Sequence, residues 1–435
     1  MDPILTLIVV LALLTVFLGM GVWVGLGLFS VAITSLALFR SMPVDKLLAQ
    51  LTYNTLTTPE MVALPMFILM AEILFHTRLS SSLFNGLSPW THRLPGKMMH
   101  VNVLGCTLFA AISGSSAATA ATVGRITLSE LFSRGYDRNL VIGSLAGAGT
   151  LGFLIPPSII LIIYGVLSET SILKLFMAGI IPGLILSFCF MGFIALRVLL
   201  NPSLVPRENN TPTWMDRFAS LIDLGPVVFL ILLVLGSMYA GVASPSEAAA
   251  VGVLGAFIVS AAQGTLNKNT VKMACLGAVR TISMIALIVA GAVFLSVSMA
   301  YLGVPRMIAN EIAALHLSSI GLILLLLLFY AILGCVLDGL SAIVMTLPIT
   351  LPLVIAAGFD KIWFGVFVVI VVEMAQITPP VGFNLFVIQG LTGESIGRVA
   401  RATIPFFLIM SGFAILIAIY PEIVTFLPNH IKLQG

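Results

Sequence analysis

The chain has 435 residues, of which 60% are hydrophobic and only 9% charged, where a soluble domain carries about 25% charge; no water-soluble surface can be built from it. A net charge of +3, from 20 basic and 17 acidic residues scattered along the chain, excludes a phosphate-tracking nucleic-acid surface. The four cysteines, Cys106, Cys189, Cys275 and Cys335, lie in apolar stretches without a C-x-x-C pair, so they offer neither a disulfide framework nor a zinc site and read as small packed hydrophobes. The composition places the chain in a bilayer.

The run from Ile4 through Phe39 has no basic leader and no small-residue cleavage site, which predicts membrane helices rather than a removed signal. On the rule of about 20 apolar residues per crossing, full spans are predicted at 3–20, 22–39, 60–78, 139–169, 172–198, 218–240, 246–263, 282–302, 362–391 and 399–421. Two further apolar stretches, 98–134 and 319–358, are interrupted at their centres by Ser113-Gly114-Ser115-Ser116 and by Leu337-Asp338-Gly339. Each is too long for one span and too short for two with a loop, so each is predicted to be a re-entrant hairpin. Linkers at 40–58, 79–97, 201–217 and 303–318 carry most of the remaining charge. Arg93, Lys97, Arg134, Arg138, Arg197, Arg207, Arg217, Lys268, Lys272, Arg280, Arg398 and Arg401 fall on one side of this layout, which the positive-inside rule makes cytoplasmic. Both termini then lie outside, and the two hairpins open to opposite faces.

An internal repeat organises these elements. Ile126-Thr127-Leu128 matches Ile349-Thr350-Leu351, Pro156-Pro157 matches Pro379-Pro380, and Ile181-Pro182 matches Ile404-Pro405, all 223 residues apart. The chain thus divides into a first unit over 1–200, a cytoplasmic linker over 201–217 and a second unit over 218–435, each with five spans and one hairpin. An odd number of crossings turns the second copy upside down. The predicted fold is an all-α polytopic membrane protein built from two inverted-topology repeats, an arrangement of secondary transporters. In each unit the hairpin is followed by a helix broken in mid-span, at Gly149-Thr150-Leu151-Gly152-Phe153-Leu154-Ile155-Pro156-Pro157-Ser158 and at Gln376-Ile377-Thr378-Pro379-Pro380-Val381-Gly382-Phe383-Asn384.

A double proline removes N–H groups and clashes with preceding carbonyls, so each break frees backbone oxygens at mid-membrane depth, where they are tolerated only facing a cavity or a ligand. With Ser and Thr hydroxyls from a hairpin tip they form an all-oxygen cage suited to a hard cation such as sodium. Half-helices starting at Ser115 or Ser116 and at Gly339 point positive dipole ends inward, where an anionic group can be held. The competing reading of the small-residue run Ser113–Gly124 is close helix packing; the repeat weighs against it, because Ser115 and Asp338 occupy equivalent positions. Four carboxylates lie in apolar context: Asp338, Glu72, Glu247 and Glu373. Asp338 either ligates an ion or caps its own tip. Glu247, in Ser244-Pro245-Ser246-Glu247, reads as a helix cap; Glu72 and Glu373 are open to proton coupling or to interhelical hydrogen bonds. Arg125, ten residues from the tip and so roughly 15 Å from it, reads as a snorkelling side chain.

Taken together, the Ser113–Ala120 tip, Leu154-Ile155-Pro156-Pro157-Ser158, Pro245-Ser246-Glu247-Ala248-Ala249-Ala250, Leu337-Asp338 and Thr378-Pro379-Pro380-Val381-Gly382-Phe383-Asn384-Leu385-Phe386 resemble the large membrane subunit of tripartite ATP-independent periplasmic (TRAP) transporters over essentially the whole chain. The resemblance implies an elevator-type permease of a bacterial inner membrane that imports organic acids with sodium, alongside a small membrane (Q) subunit and an extracytoplasmic substrate-binding protein (P). It also implies one sodium site joining the first tip to the first break, over Ser113, Gly114, Ser115, Gly149, Thr150, Gly152 and Ile155. A second would join Val336, Asp338 and Gly339 to Thr378, Pro379 and Gly382. Substrate contacts would come from Ser116, Thr119, Pro157, Ser341 and Asn384, with sodium as coupling ion and no other cofactor.

Rival readings are weaker. A self-sufficient sodium–dicarboxylate symporter would share the repeat and both breaks. An intramembrane hydrolase using Ser115 needs a base, and His76, His92, His100, His316 and His430 all lie near segment ends; no enzyme is expected. An ATP-driven pump has no G-x-x-x-x-G-K-[ST] run to rest on.

Overall fold

The computed structural model describes residues 3–40, 43–206, 212–314, 318–335, 337–379 and 382–430, and among them there are helices and turns but no strand. In chain order the first half comprises α1 (Pro3–Gly19), α2 (Val24–Phe39), α3 (Val44–Leu56), α4 (Pro59–Phe75), α5 (Leu79–Thr91), α6 (Met99–Ser113), α7 (Ser116–Ser133), α8 (Arg138–Gly149), α9 (Leu151–Leu154), α10 (Ile159–Ser168) and α11 (Ile172–Leu200). The second half opens with α12 (Trp214–Ile231), which runs through a π turn, Leu232–Gly236, into α13 (Ser237–Tyr239). There follow α14 (Pro245–Ala262), α15 (Lys268–Leu302), α16 (Val304–Ala314), α17 (Ser319–Gly334), α18 (Gly339–Ala356), α19 (Lys361–Ala375), α20 (Phe383–Thr392), α21 (Ile396–Ile419) and α22 (Glu422–His430). The repeat spacing reappears in the helix starts: Ser116 and Gly339 open α7 and α18, Arg138 and Lys361 open α8 and α19, and both pairs stand 223 residues apart.

The helices sort into two groups by packing. In one, α15 packs on α2, α3 and α4, and α14 on α4. In the other, α6, α7 and α8 pack on one another, α21 on α8 and α19, α17 and α18 on α19, and α20 on α7. At the centre of the second group lies α19, buried from Trp363 through Ala375. Its start is tied to the first unit by the Tyr164 hydroxyl, which donates to the Lys361 carbonyl (2.6 Å). Trp363 Nε1 donates to the Ile417 carbonyl on α21 (2.9 Å). The groups meet where α10 touches α4, α18 touches α15, and α5 bridges α6 to α12.

Several sequence expectations change here. By length and composition seven helices of the described residues are able to cross a membrane, or eight with the bent pair α3 and α4, against ten predicted crossings. α1 and α2 have only 17 and 16 residues, and the predicted span 362–391 is two helices of 15 and 10 residues. The predicted span at 282–302 is the second part of a continuous 35-residue helix, α15. Residues 268–281 are therefore helical and continuous with that span. Asn267 caps α15, its side chain accepting from the Thr270 N–H (2.8 Å), and no proline follows to stop propagation. At the matching place of the first unit Pro59 opens a new helix, and α3 and α4 meet at 58°. The linkers at 40–58, 79–97 and 303–318 contain α3, α5 and α16. Of the cysteines only Cys106 is buried; Cys189 and Cys275 are exposed, because the helix faces that carry them have no protein neighbour. Arg125 lies with its guanidinium 5.2 Å from the centroid of the Phe75 ring. Glu247 forms the predicted capping box with Ser244.

The close approach of α8 to α21 rests on Gly143 and Gly147, a small-xxx-small face. A Cβ at Gly147 would stand 2.6 Å from the Phe406 ring, whereas one at Gly412 on α21 would meet nothing within 4 Å. Gly147→Val is expected to lose about 1–3 kcal/mol of packing and with it most of the membrane-inserted protein, while Gly412→Ala keeps parental abundance. Detergent-solubilised yield and thermal midpoint measure both, and equal yields for the two variants would contradict the packing account.

Candidate functional site

The first hairpin tip is built by two local devices. α6 ends at Ser113, and Gly114 turns the chain in a left-handed conformation (φ 58°) that L side chains disfavour by roughly 1–2 kcal/mol. Ser115 then caps α7, its side chain accepting from the Ala118 N–H at 3.5 Å. Ser113 and Thr119 hydroxyls meet at 2.7 Å, and the Thr119 hydroxyl also donates to the Ser115 carbonyl (2.7 Å). Thr119 is therefore engaged in shaping the tip.

This tip docks on the first break. The Gly114 carbonyl accepts from the Ile159 N–H (3.2 Å), the first amide of α10. A Cβ at Gly114 would stand 2.6 Å from the Pro157 carbonyl oxygen, one at Gly152 2.5 Å from the Ser115 carbonyl oxygen, and one at Gly149 2.8 Å from Ala120 Cβ. At Gly114 and Gly152 backbone lies on backbone, an approach that any Cβ would block. Within the break, the Ser158 hydroxyl donates to the Phe153 carbonyl (2.5 Å) and accepts from the Leu161 N–H (3.2 Å), and Thr150 donates to the Gly147 carbonyl (2.6 Å). The Phe153 carbonyl, left without an N–H from Pro157 in the cis Pro156-Pro157 pair, is thus taken by the Ser158 hydroxyl. Gly149, Thr150, Gly152, Ile155 and Pro157 are all buried beneath the tip.

The second tip repeats the plan with different residues. Asp338 caps α18, Oδ2 accepting from the Ser341 N–H (3.1 Å). It thereby takes the position that Ser115 holds in the first tip, while remaining exposed. The second tip is held to the second break by Gln376, whose Nε2 donates to the Leu337 carbonyl (3.1 Å), and by Cys335 Sγ, 3.1 Å from the Thr378 hydroxyl. The break's own carbonyls at Gln376 and Ile377 accept from the Asn384 N–H (3.1 Å) and the Thr403 hydroxyl (3.0 Å). Gly382 sits at φ +40° with its Cβ position 3.1 Å from the Gln376 carbonyl oxygen. Thr378 is half-buried and Pro379 exposed; Val336 lies outside the described residues.

Each tip also touches the other unit's broken helix. The Asn384 side-chain amide donates to the Ser116 hydroxyl (2.6 Å), both residues being buried. A Cβ at Gly339 would stand 3.0 Å from Val372 and 3.5 Å from Ile160. Ser341 is buried with a hydroxyl that has no hydrogen-bond partner. Two predicted substrate contacts, Ser116 and Asn384, are therefore brought together, while Pro157 lies under the first tip and Ser341 in the second. Gln376, Cys335 and Thr403 were not among the expected site residues. Gln376 could have been found as a lone amide inside an apolar run, but the cysteine and Thr403 carried no local mark.

The tip contact can be separated from backbone strain. Gly135 shares a positive φ (82°) with Gly114, yet its Cβ would meet nothing within 4 Å. Gly135→Ala is expected to lower stability by about 1–2 kcal/mol, and Gly114→Ala by that amount plus the tip–break clash. Equal thermal midpoints for the two variants would mean that the tip does not press on the break.

Comparison with known proteins places this geometry. The family profile described as "Tripartite ATP-independent periplasmic transporter, DctM component" matches residues 9–423. The C4-dicarboxylate TRAP transporter large permease protein DctM of Pseudomonas aeruginosa is 33% identical over 377 residues, 86% of this chain and 87% of that protein. The isethionate TRAP transporter permease protein DctMQ of Oleidesulfovibrio alaskensis is 30% identical over 94% of this chain, which spans 64% of that longer protein. Among solved structures, the YdaH transporter of Alcanivorax borkumensis shares the fold, with a TM-score of 0.66 at 16% identity over 92% of this chain and 97% of that one. Two hairpins docked on two broken helices inside an apolar, all-helical body, and a profile match over nearly the whole length, make this chain a member of the large permease family of TRAP transporters.

Proposed function

We propose that this chain is the large membrane subunit of a sodium-coupled, binding-protein-dependent importer of an organic acid, such as a C4-dicarboxylate, a sialic acid or a similar carboxylate. The observation that carries the reading is the docking of each oxygen-capped tip on a broken helix, with the first tip bonded across to the second break through Asn384 and Ser116. One sodium site joins Ser113, Gly114 and Ser115 to Gly149, Thr150, Gly152 and Ile155. The other joins Asp338 and Gly339 to Thr378, Pro379 and Gly382. Asp338 supports the second assignment, because it spends Oδ2 on the Ser341 N–H and is exposed, so a carboxylate oxygen remains for an ion. A carboxylate substrate is received between Ser116, Asn384 and Ser341 by hydroxyls, an amide and the N-terminal ends of α7 and α18, without a basic side chain.

The remaining components are a small membrane subunit and an extracytoplasmic substrate-binding protein, in a bacterial inner membrane with both termini periplasmic. The two units stand inverted to each other in the bilayer. The hairpins, the broken helices, α11 and α21 form a block that carries the site across, while α1 to α4, α14 and α15 form the frame. Rigid movement of one bundle against the other is the common use of inverted repeats.

Uptake in proteoliposomes is expected to require sodium and both partners and to stop when an ionophore collapses the sodium gradient with ATP maintained; full uptake on a proton gradient alone would overturn sodium coupling, and uptake without the binding protein would favour a self-sufficient symporter. Ser115→Ala and Asp338→Ala should each raise the sodium concentration for half-maximal transport about tenfold, the effect of losing one charge-assisted ligand. Unchanged sodium dependence in both would reduce the tips to packing elements. For the moving block, Phe67 on α4 and Phe176 on α11 have ring centroids 6.2 Å apart. In a chain lacking its native cysteines, bridging Phe67→Cys to Phe176→Cys with a short thiol crosslinker should stop transport while sodium still binds. A bridged protein that transports at the normal rate would exclude the elevator.

A further inference from the structure

Two arginines share one indole where α12 begins, and neither belongs to the tips or the breaks. The Arg93 guanidinium carbon, just past the end of α5, lies 5.4 Å from the centroid of the Trp214 ring, and that of Arg217 lies 4.8 Å from it. Arg217 is only 4% exposed, and its Nε is buried without a hydrogen-bond partner. Among the described residues neither guanidinium is in an ion pair; the arginines that are, Arg134, Arg138 and Arg398, bond to Glu130 and Glu394. Lys97, close by in the chain, has found an acceptor in the Pro206 carbonyl (3.1 Å). The adjacent acid, Asp216, is spent on Thr213, accepting from its N–H (2.8 Å) and its hydroxyl (2.7 Å).

A guanidinium is charged at any physiological pH and presents a fork of N–H donors with no acceptor. An indole face attracts such a cation but offers its donors no oxygen, and two like charges on one ring repel each other. A buried charge without a counter-charge is costly, so what the pair lacks is an anion that carries oxygens. The position says which kind. Trp214–Tyr239 is an apolar helical run of 26 residues, about 39 Å long at the helical rise against a hydrocarbon core of about 30 Å. Its first turn therefore stands at the level of the lipid headgroups, where Trp side chains gather. From there an apolar strip runs inward: Phe218 is 60% and Ile222 79% exposed, four residues apart and so on one face of the helix. Trp90 of α5 meets the Phe218 ring edge-on, with centroids 6.4 Å apart. Oxygens for the arginines and hydrocarbon for the strip are the two ends of one kind of molecule.

We propose that the junction of α5 and α12 is a binding site for an anionic phospholipid, whose phosphate is held by Arg217 and Arg93 beside the Trp214 indole and whose acyl chain lies along Phe218 and Ile222. Arg217 is the fixed half of the clamp, held in place by its burial, and the exposed Arg93 closes on the headgroup from α5. A filled site bridges the end of α5 to the start of α12. The proposal needs only that the chain spans a bilayer, whichever acid it carries.

Native mass spectrometry of the purified full chain with added lipid tests the site. The parent is expected to retain one dioleoylphosphatidylglycerol about tenfold more tightly than dioleoylphosphatidylcholine, which has the same chains and no net charge. Arg217→Gln and Arg93→Gln should each weaken that retention about tenfold, the effect of one lost charge-assisted contact; Arg93, being exposed, carries the test alone where Arg217→Gln does not accumulate. The paired change Lys268→Gln and Lys272→Gln removes two charges at the start of α15 and should leave retention as in the parent. A loss in the lysine variant equal to that in the arginine variants means general attraction to basic surface and overturns the site, as does equal retention of the two lipids. Inorganic phosphate that displaces phosphatidylglycerol at equal concentration would assign the arginines to a free anion and overturn the lipid. Phosphatidylglycerol that is excluded once the small membrane subunit is bound would give this face to that subunit and overturn it too.

Discussion

Interrupting a helix inside an apolar body exposes backbone groups that have no water to bond, and each left unpaired costs several kcal/mol. The structure is organised around meeting that demand twice. At the first break Ser158 takes the Phe153 carbonyl and the Gly114 carbonyl takes the Ile159 amide. At the second, Thr403 takes the Ile377 carbonyl and Gln376 reaches back to the Leu337 carbonyl. A hairpin tip is the structural answer to a broken helix: it brings reversed backbone against the break, where its own end groups and those of the break satisfy one another.

That mutual docking explains the residue types. Backbone can approach backbone only where Cβ atoms are missing, hence Gly114 in the first tip and Gly152 beneath it, while Gly149, Gly334 and Gly339 leave room for neighbouring side chains. Oxygen-bearing caps stand at the start of each returning helix, serine in one and aspartate in the other. Tips and breaks assembled this way present oxygens, amides and helix ends, with Asp338 as a carboxylate at the second tip. The charged groups sit elsewhere, as in the Glu394 carboxylate that pairs with Arg138 and Arg398 at the starts of α8 and α21.

The two units are alike in order and unlike in detail, and the differences fall where the neighbours differ. Pro59 breaks the first unit's third crossing from its leading helix, whereas Ile282 at the matching position lets α15 run on unbroken. Thr150 donates to the Gly147 carbonyl of its own helix, whereas Glu373, its counterpart, is a buried carboxyl whose oxygens have no hydrogen-bond partner. The shared 223-residue spacing of helix starts and these single exchanges together describe how the two halves of the chain compare.

What the sequence by itself determined is everything that local chemistry specifies. Mean composition pointed to the bilayer, Ser113-Gly114-Ser115-Ser116 and Leu337-Asp338-Gly339 inside apolar stretches marked the two tips, and paired prolines marked both breaks. The Ser244–Glu247 capping box and the equivalence of Ser115 with Asp338 were legible because a cap is set by neighbours three residues away. Only the tertiary structure decided which groups meet across long separations: Asn384 with Ser116, Cys335 with Thr378, Gln376 with Leu337. It also decided that residues 268–281 continue a helix, since hydropathy reports where a chain is apolar and says little about where a polar helix joins it. Thr403 left no trace in the sequence, because a hydroxyl on an apolar helix looks the same whether it bonds its own turn or another segment's freed carbonyl. The partner is chosen by packing, and packing is written in contacts between residues far apart along the chain.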